Sequence, residues 1–202
     1  MTTSMDSRAW DERYTGSALL WGAGPNQFLE AEVVDLSPGS ALDVACGEGR
    51  NAVWLAERGW SVVGVDFSPV ALGKAAGLAE ARGVTVDWVN ADLGTWEPPA
   101  SYDLVAVLYL HLPAWLRSPL FRRLAGAVSP GGTMLVVGHD LSNLSGGWGG
   151  PQDPALLYEL DEVAGELAEV LRIERAERAH RPVVTPEGEA IAIDTLVRAV
   201  RL

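Results

Sequence analysis

Gly47 and Gly49, one residue apart at the end of a short apolar run, are the residues whose spacing says most about chemistry in this chain. Ala41 to Ala45 reads as a strand and Asn51 to Arg58 as a helix that stops at Gly59, so strand, glycine turn and helix follow one another. Glycine there lets the backbone take tight or positive-φ conformations with no Cβ in the way. Bare N–H groups at a helix start then meet a nucleotide-type ligand in the crevice beyond the strand's carboxyl end. Carboxylates recur nearby: Asp43 in the first strand, Glu48 in the turn, Asp66 at the end of a second strand and Asp92 just after a third. His111 follows a fourth strand and His139, with Asp140 beside it, a fifth. Two imidazoles, the side chain most often used to take a proton near neutral pH, thus fall at the same edge.

These residues need a frame, and strand and helix signals alternate to supply one. Asp6 to Tyr14 reads as a helix carrying Trp10, Arg13 and Tyr14, and after a break at Trp21 to Pro25 a second helix starts at Pro25 or Asn26. Ser61 to Asp66 is a buried strand, and Ser68-Pro69 caps a helix that runs to about Arg82 and ends at Gly83. Val84 to Asn90, Tyr102 to Leu108 and Thr133 to Val137 are the next strands, Ser129 to Gly132 being a turn. Ser118-Pro119 repeats the cap-and-proline signal for a helix through Val128. The glycine-rich loop Ser142 to Pro151 around Trp148 is long enough to cover a site, and Asp153-Pro154 caps a helix with Leu156, Leu160, Val163 and Leu167 as its apolar stripe. Val170 to Ala179 and Ala190 to Leu202 have no helix between them, only a loop holding Pro182, Pro186 and Gly188, and so must pair antiparallel.

The pattern predicts an α/β fold: a Rossmann-like, doubly wound, mostly parallel seven-stranded sheet, helices on both faces, and an antiparallel C-terminal hairpin. A chain of 202 residues with 48% hydrophobic composition is most economically a single domain. Its expected parts are an N-terminal helical cap (1–39), a ligand-binding core (40–140) and a C-terminal helix and hairpin (141–202). A net charge of -12 and a pI near 4.6 repel phosphate backbones, so small molecules are expected as partners and nucleic acid is not. The single cysteine, Cys46, rules out an internal disulfide, and the three histidines and Cys46 lack metal-ligand spacing, so no metal is expected. The N-terminus lacks a signal-peptide pattern, and no run approaches the roughly 18 apolar residues of a membrane span. A cytoplasmic protein away from membranes is the expectation, with a homodimer left open.

Gly47, Gly49 and Ala52 also satisfy the dinucleotide pattern, with Asp66 about 20 residues on for a ribose. The charges argue otherwise, because a pyrophosphate would be repelled by Asp43 and Glu48 a few ångströms off. A ligand without phosphate and with its own cations tolerates them, and S-adenosylmethionine is such a ligand. Asp43-Val-Ala-Cys-Gly-Glu-Gly49 resembles motif I of the class I S-adenosylmethionine-dependent methyltransferases. Gly47-Glu-Gly-Arg-Asn51, followed by Leu55-Ala56 and Gly59, is especially similar to the tellurite-resistance and thiol methyltransferase branch. The resemblance runs from about Trp10 to Val137, specific for the cofactor and unspecific for the acceptor.

The resemblance implies a cofactor site made by Asp43, Ala45, Cys46, Gly47, Gly49, Asn51, Asp66, Phe67, Ala91, Asp92, Leu93 and Tyr14. Gly47 and Gly49 would lie under the ligand and Asp43 near its amino end. Asp66 would bind both ribose hydroxyls, and Asp92, with Leu93 beside it, would accept from the adenine amine. Tyr14 and Trp21, in a piece that often covers the cofactor in this family, are aromatics suited to cation-π contact with a sulfonium. His111 and His139 would border the transferred methyl, either of them a candidate base. Two positions depart from the family pattern: Ala45 stands where glycine is frequent, and Leu110-His-Leu-Pro113 replaces the Asn/Asp-Pro-Pro-Tyr of enzymes that methylate base amines. The expected function is methyl transfer to a small thiol, other chalcogen, hydroxyl or amine by in-line displacement. An NAD-dependent oxidoreductase and a non-catalytic S-adenosylmethionine-binding module are the alternatives.

Overall fold

The computed structural model describes residues 7–16, 18–20 and 22–202, with the Ser7 side chain left out. Two short helices, α1 (Ser7–Thr15) and α2 (Gln27–Val33), precede the first strand, β1 (Ser40–Val44). Then follow α3 (Arg50–Glu57), β2 (Ser61–Asp66), α4 (Pro69–Arg82), β3 (Asp87–Asn90), β4 (Tyr102–Leu108), α5 (Ala114–Gly126) and β5 (Val128–His139). The remainder is α6 (Asn143–Gly146), a 3-10 turn (Pro154–Leu156), α7 (Leu160–Ala168), β6 (Arg172–Thr185) and β7 (Gly188–Val200).

The strands form one sheet in the order β3-β2-β1-β4-β5-β7-β6. β1 to β5 run parallel, and β7 inserts antiparallel between β5 and β6. The order reverses between β1 and β4, and at such a switch point the flanking connections leave to opposite faces and open a crevice at the strands' carboxyl ends. Successive residues of the central strands feed two apolar layers: Leu42, Val44, Val105 and Val107 pack with Phe121 and Tyr158, and Ala41, Leu104 and Ala106 with Ala52 and Leu55. The expected sheet is therefore present, with its hairpin.

Local signals set most element ends. Asn26 caps α2 by accepting from the Phe28 N–H, and Ser68 caps α4 by accepting from Ala71. Gly83 closes α4 in the left-handed conformation, with φ 68°. Elsewhere the structure differs from expectation. The helix after β4 begins at Ala114, capped by Pro113, so Pro119 lies inside it. An interior proline costs about 3 kcal/mol. Burying Leu120, Phe121 and Leu124 from the same helix, at about 1.5–3 kcal/mol each, outweighs that. Asp153-Pro154 starts only the 3-10 turn, and α7 begins four residues after Leu156. β3 covers Asp87–Asn90 alone. β5 starts at Val128, its register with β4 shifting between Tyr102 and Leu104, so the expected turn at Ser129 to Gly132 lies within the strand's span. The hairpin is longer than expected, with Pro182 inside β6; β6 is the sheet's edge, where a missing N–H breaks no ladder. Among the described residues no helix is long and apolar enough to cross a membrane.

Candidate active site

The chain leaves β1 through Ala45 at φ 55°, Gly47 at 53° and Gly49 at 77°, and Gly49 is the N-cap of α3. Glycine takes this left-handed conformation freely, whereas alanine pays about 1–2 kcal/mol for the Cβ. Ala45, which stands where glycine is frequent in the family it resembles, thus occupies a strained position. Cys46 is buried, and burial, reinforced by Asp43 and Asp66, pushes its thiol well up, which suits a packed residue and not a nucleophile.

Two carboxylates sit against this turn. Asp43 is buried, and desolvation raises its carboxyl to about 7; Asp66 adds to the rise, while the Ala52 N–H and Arg50 oppose it. Its Oδ2 has no hydrogen-bond partner among the described residues. Asp66 Oδ2 accepts from the Gly47 N–H at 2.8 Å and Oδ1 from the Ser68 N–H at 2.9 Å. Burial raises this carboxyl too, against those bonds. Asp66 therefore ties the glycine turn to the start of α4, and since an ionised carboxylate offers about four acceptor positions, capacity for hydroxyls remains. The Asp66 carbonyl in turn accepts from Ala91 N at 3.1 Å, joining the ends of β2 and β3. Phe67 is half-buried beside it.

Glu48 does not face a ligand unpaired. Its Oε1 lies 3.0 Å from Lys74 Nζ and its Oε2 accepts from Leu20 N at 2.7 Å, so of the two carboxylates only Asp43 remains to repel a pyrophosphate. Asp92 is exposed and accepts from Gly94 N at 2.8 Å, an ordinary Asx turn, with Leu93 buried next to it. Asn51 accepts from Asn26 N at 2.8 Å and anchors the start of α2 to α3. Tyr14 is buried, stacks on Trp10 with ring centroids 5.4 Å apart, and puts its hydroxyl 3.0 Å from where a Cβ on Gly47 would stand. The N-terminal helix thus lies over the glycine turn. Trp21 falls outside the described residues.

The two histidines meet at the carboxyl ends of β4 and β5, their rings stacked at 5.4 Å and 16°. They are not equivalent. His111 Nε2 accepts from the His139 backbone N–H at 3.4 Å, and burial, then the neighbouring His139, lower its pKa to about 3. A ring held neutral and facing backbone is a poor proton acceptor, which separates His111 from the base role expected of either histidine. His139 has its Nδ1 3.1 Å from Asp194 Oδ1, close enough for an ion pair although the carboxylate lies off the ring N–H direction. Asp194 accepts hydrogen bonds from Tyr109 Oη at 2.9 Å and Arg181 Nε at 2.7 Å. Burial pushes the Asp194 carboxyl up, but the adjacent His139 ring and the Arg181 guanidinium outweigh it and hold it below the usual range. Tyr109, the residue after β4, has φ 58°, and its ring meets His139 edge-on at 5.1 Å. Asp140, beside His139 in sequence, is turned elsewhere, accepting from Ser142, Arg178 and Thr195. The glycine loop does reach the site: a Cβ on Gly150 would stand 2.8 Å from His139 Nε2.

Sequence reasoning missed Tyr109, Arg181 and Asp194. The available signal was Asp194, one charge inside the apolar run Ile191 to Val197.

Residues 41–132 match the profile of a family described as a methyltransferase domain. The 2-heptyl-1-hydroxyquinolin-4(1H)-one methyltransferase of Mycobacteroides abscessus is 32% identical over 135 residues, 63% of this chain and 58% of that protein. A probable thiol methyltransferase of Arabidopsis thaliana is 26% identical over 150 residues, 70% of this chain and 66% of that protein. The chain thus spans less than two thirds of either relative's length. The N-methyltransferase NodS of Bradyrhizobium japonicum, solved in complex with S-adenosyl-l-homocysteine, matches with a TM-score of 0.73 at 16% identity, covering 96% of this chain and 98% of that one. At that identity the likeness speaks for the fold.

A sheet of this order, with a glycine turn after its first strand and buried carboxylates at two strand ends, defines a Rossmann-like domain of the nucleoside-binding kind. The methyltransferase-domain match over residues 41–132 agrees with the class I S-adenosylmethionine-dependent methyltransferase family that the motif resembles, and the thiol methyltransferase relative agrees with the branch named there. S-adenosylmethionine is the cofactor that goes with this family.

Proposed function

We propose that this chain transfers a methyl group from S-adenosylmethionine to a small-molecule acceptor. Asp43 carries the proposal: a buried carboxylate whose Oδ2 lacks a partner among the described residues, beside a turn where Gly47 puts no Cβ beneath the Tyr14 hydroxyl. A buried carboxylate in that state is relieved by a cation and worsened by an anion. The residues present therefore fit a nucleoside that carries an ammonium and no phosphate, and fit NAD poorly.

In this reading Asp43 attracts the amino end of the ligand, and Gly47 and Gly49 let it approach the backbone, with Ala45, Cys46, Asn51 and Phe67 around it. Asp66 takes the ribose hydroxyls, and Ala91, Asp92 and Leu93 border the adenine. Tyr14 covers the turn and keeps water out. When bound, S-adenosylmethionine supplies a methyl carbon on a positive sulfur, so the acceptor's lone pair forms the new bond as the C–S pair returns to sulfur. The protein's part is to position the acceptor and, where its nucleophilic atom carries a proton, to remove it. His139 is the residue for that removal, and neutral His111 braces it. Calorimetric titration with S-adenosylhomocysteine and with NAD tests the cofactor, and a panel of hydroxyl, thiol and amine acceptors tests transfer. Binding of NAD without S-adenosylhomocysteine would overturn the proposal.

A further inference from the structure

Asp194 lies on β7, fully buried in an apolar run, where an ionised carboxylate costs several kcal/mol unless it is bonded. Its neighbours come from three other places in the sheet: Tyr109 just after β4, His139 at the end of β5 and Arg181 on β6. The ladder sets one of these pairings directly, since His139 and Asp194 are opposite residues in the β5–β7 register. Arg181 alone would balance the charge. A charge-balancing role leaves unexplained why Tyr109, a bulky residue, holds φ 58° at the strand end and bonds the same carboxylate. Strain of that kind at the mouth of a ligand crevice points to a site. His139 is bounded as well, by the stacked His111 ring and by the Gly150 backbone.

We propose that Asp194 is a positioning residue for methyl transfer: it receives the Nδ1 side of His139, so that Nε2 is the nitrogen left for the acceptor, and the site serves acceptors whose nucleophilic atom arrives with its proton. The proposal rests on the methyl-transfer function above. The proton passes from the acceptor to Nε2, the acceptor keeps the electron pair for the new bond, and the imidazolium so formed is stabilised by the Asp194 charge. Tyr109 Oη and Arg181 Nε act on Asp194 by holding Oδ2, while Arg181 Nη2 also reaches Oδ1 at 3.5 Å, so the carboxylate is fixed with Oδ1 toward the ring.

The test is the tautomer of His139, read from imidazole 15N shifts in the protein saturated with S-adenosylhomocysteine and assigned by loss of its signals in His139→Gln. The wild type is expected to carry the proton on Nδ1. In Asp194→Asn the amide oxygen faces the Tyr109 and Arg181 donors and its NH2 turns to the ring, so the proton moves to Nε2. With any acceptor found in the panel, kcat should fall on the order of 10²-fold in Asp194→Asn while the KM for S-adenosylmethionine stays within about threefold. An Nε2–H ring in the wild type, or an unchanged tautomer in a folded Asp194→Asn, overturns the role. If Asp194→Asn does not fold, the wild-type tautomer still decides, together with Tyr109→Phe, which keeps the carboxylate and must keep Nδ1–H. A protein that fails to bind S-adenosylhomocysteine sinks the cofactor proposal; one that binds it with the wrong tautomer sinks only Asp194.

Discussion

Lys74 and Glu48 meet at 3.0 Å, and the same ammonium bonds the Tyr14 carbonyl, so one pair joins α4, the glycine turn and the N-terminal helix. Glu48 is buried and would be left uncompensated without it. Lys74→Met is therefore expected to cost about 2 kcal/mol, or roughly 4–8 °C in Tm for a chain of this size, and to weaken S-adenosylhomocysteine binding. Adding Glu48→Gln should recover part of the stability. Scanning calorimetry of both variants checks this, and a double variant no more stable than the single one would count against the pair.

Asp43 makes stability depend on pH in a defined direction. Folded, it keeps its proton up to about pH 7; unfolded, it releases it near 3.8. Between those values the folded state holds the extra proton, so stability falls as pH rises, by up to about 4 kcal/mol. Asp66 acts in the same direction, while Asp140 and Asp194, held low, matter only on the acid side of the window. Asp43→Asn should flatten the Tm profile from pH 4.5 to 7.5, and saturating S-adenosylhomocysteine should flatten it in the wild type. A variant with the wild-type slope would move the effect to another group.

Asp66→Ala is expected to do two things, because its carboxylate bonds Gly47 and Ser68 as well as facing the crevice. Stability should drop by about 1–3 kcal/mol, and S-adenosylhomocysteine affinity by a few kcal/mol or less. Calorimetry well below the variant's Tm separates the effects. Lower stability with unchanged affinity would leave Asp66 as a clamp on the turn alone.

Ala45→Gly should be neutral or stabilising by up to about 1 kcal/mol, since the relieved left-handed strain exceeds or matches the added chain entropy. Denaturant unfolding measures it. A loss beyond about 1 kcal/mol would show that the alanine methyl packs usefully and that its strain is small.

Much of this architecture was legible because its signals are local. Ser68-Pro69 and Gly83 bound α4 wherever it packs, and Asp43 and Asp66 are set by their distance from the glycine turn. Ser118-Pro119 misled because the same dipeptide fits a helix start and, when the buried face is strong enough, a helix interior. The acceptor side was hidden for a different reason. Tyr109 and Asp194 are 85 residues apart and meet only because β7 inserts between β5 and β6, a choice of sheet neighbour that no local pattern encodes. The unequal fates of His111 and His139 follow from that same insertion, since Asp194 reaches only one of them.

The insertion of β7 also sets an order of events during synthesis. The flank of β5 that β7 covers, Thr133 to His139, includes the wholly buried Met134, Leu135, Val136 and Val137. On the ribosome that flank waits, as an open sticky edge, for β7, which starts at Gly188, about fifty residues beyond His139. At about 5–20 residues per second the exposure lasts several seconds. A nascent chain stalled in that interval would display a bare hydrophobic strand edge, the form most prone to pair with another copy. β7 also delivers Asp194, so the interval that ends the exposure of this edge is the one that completes the acceptor side.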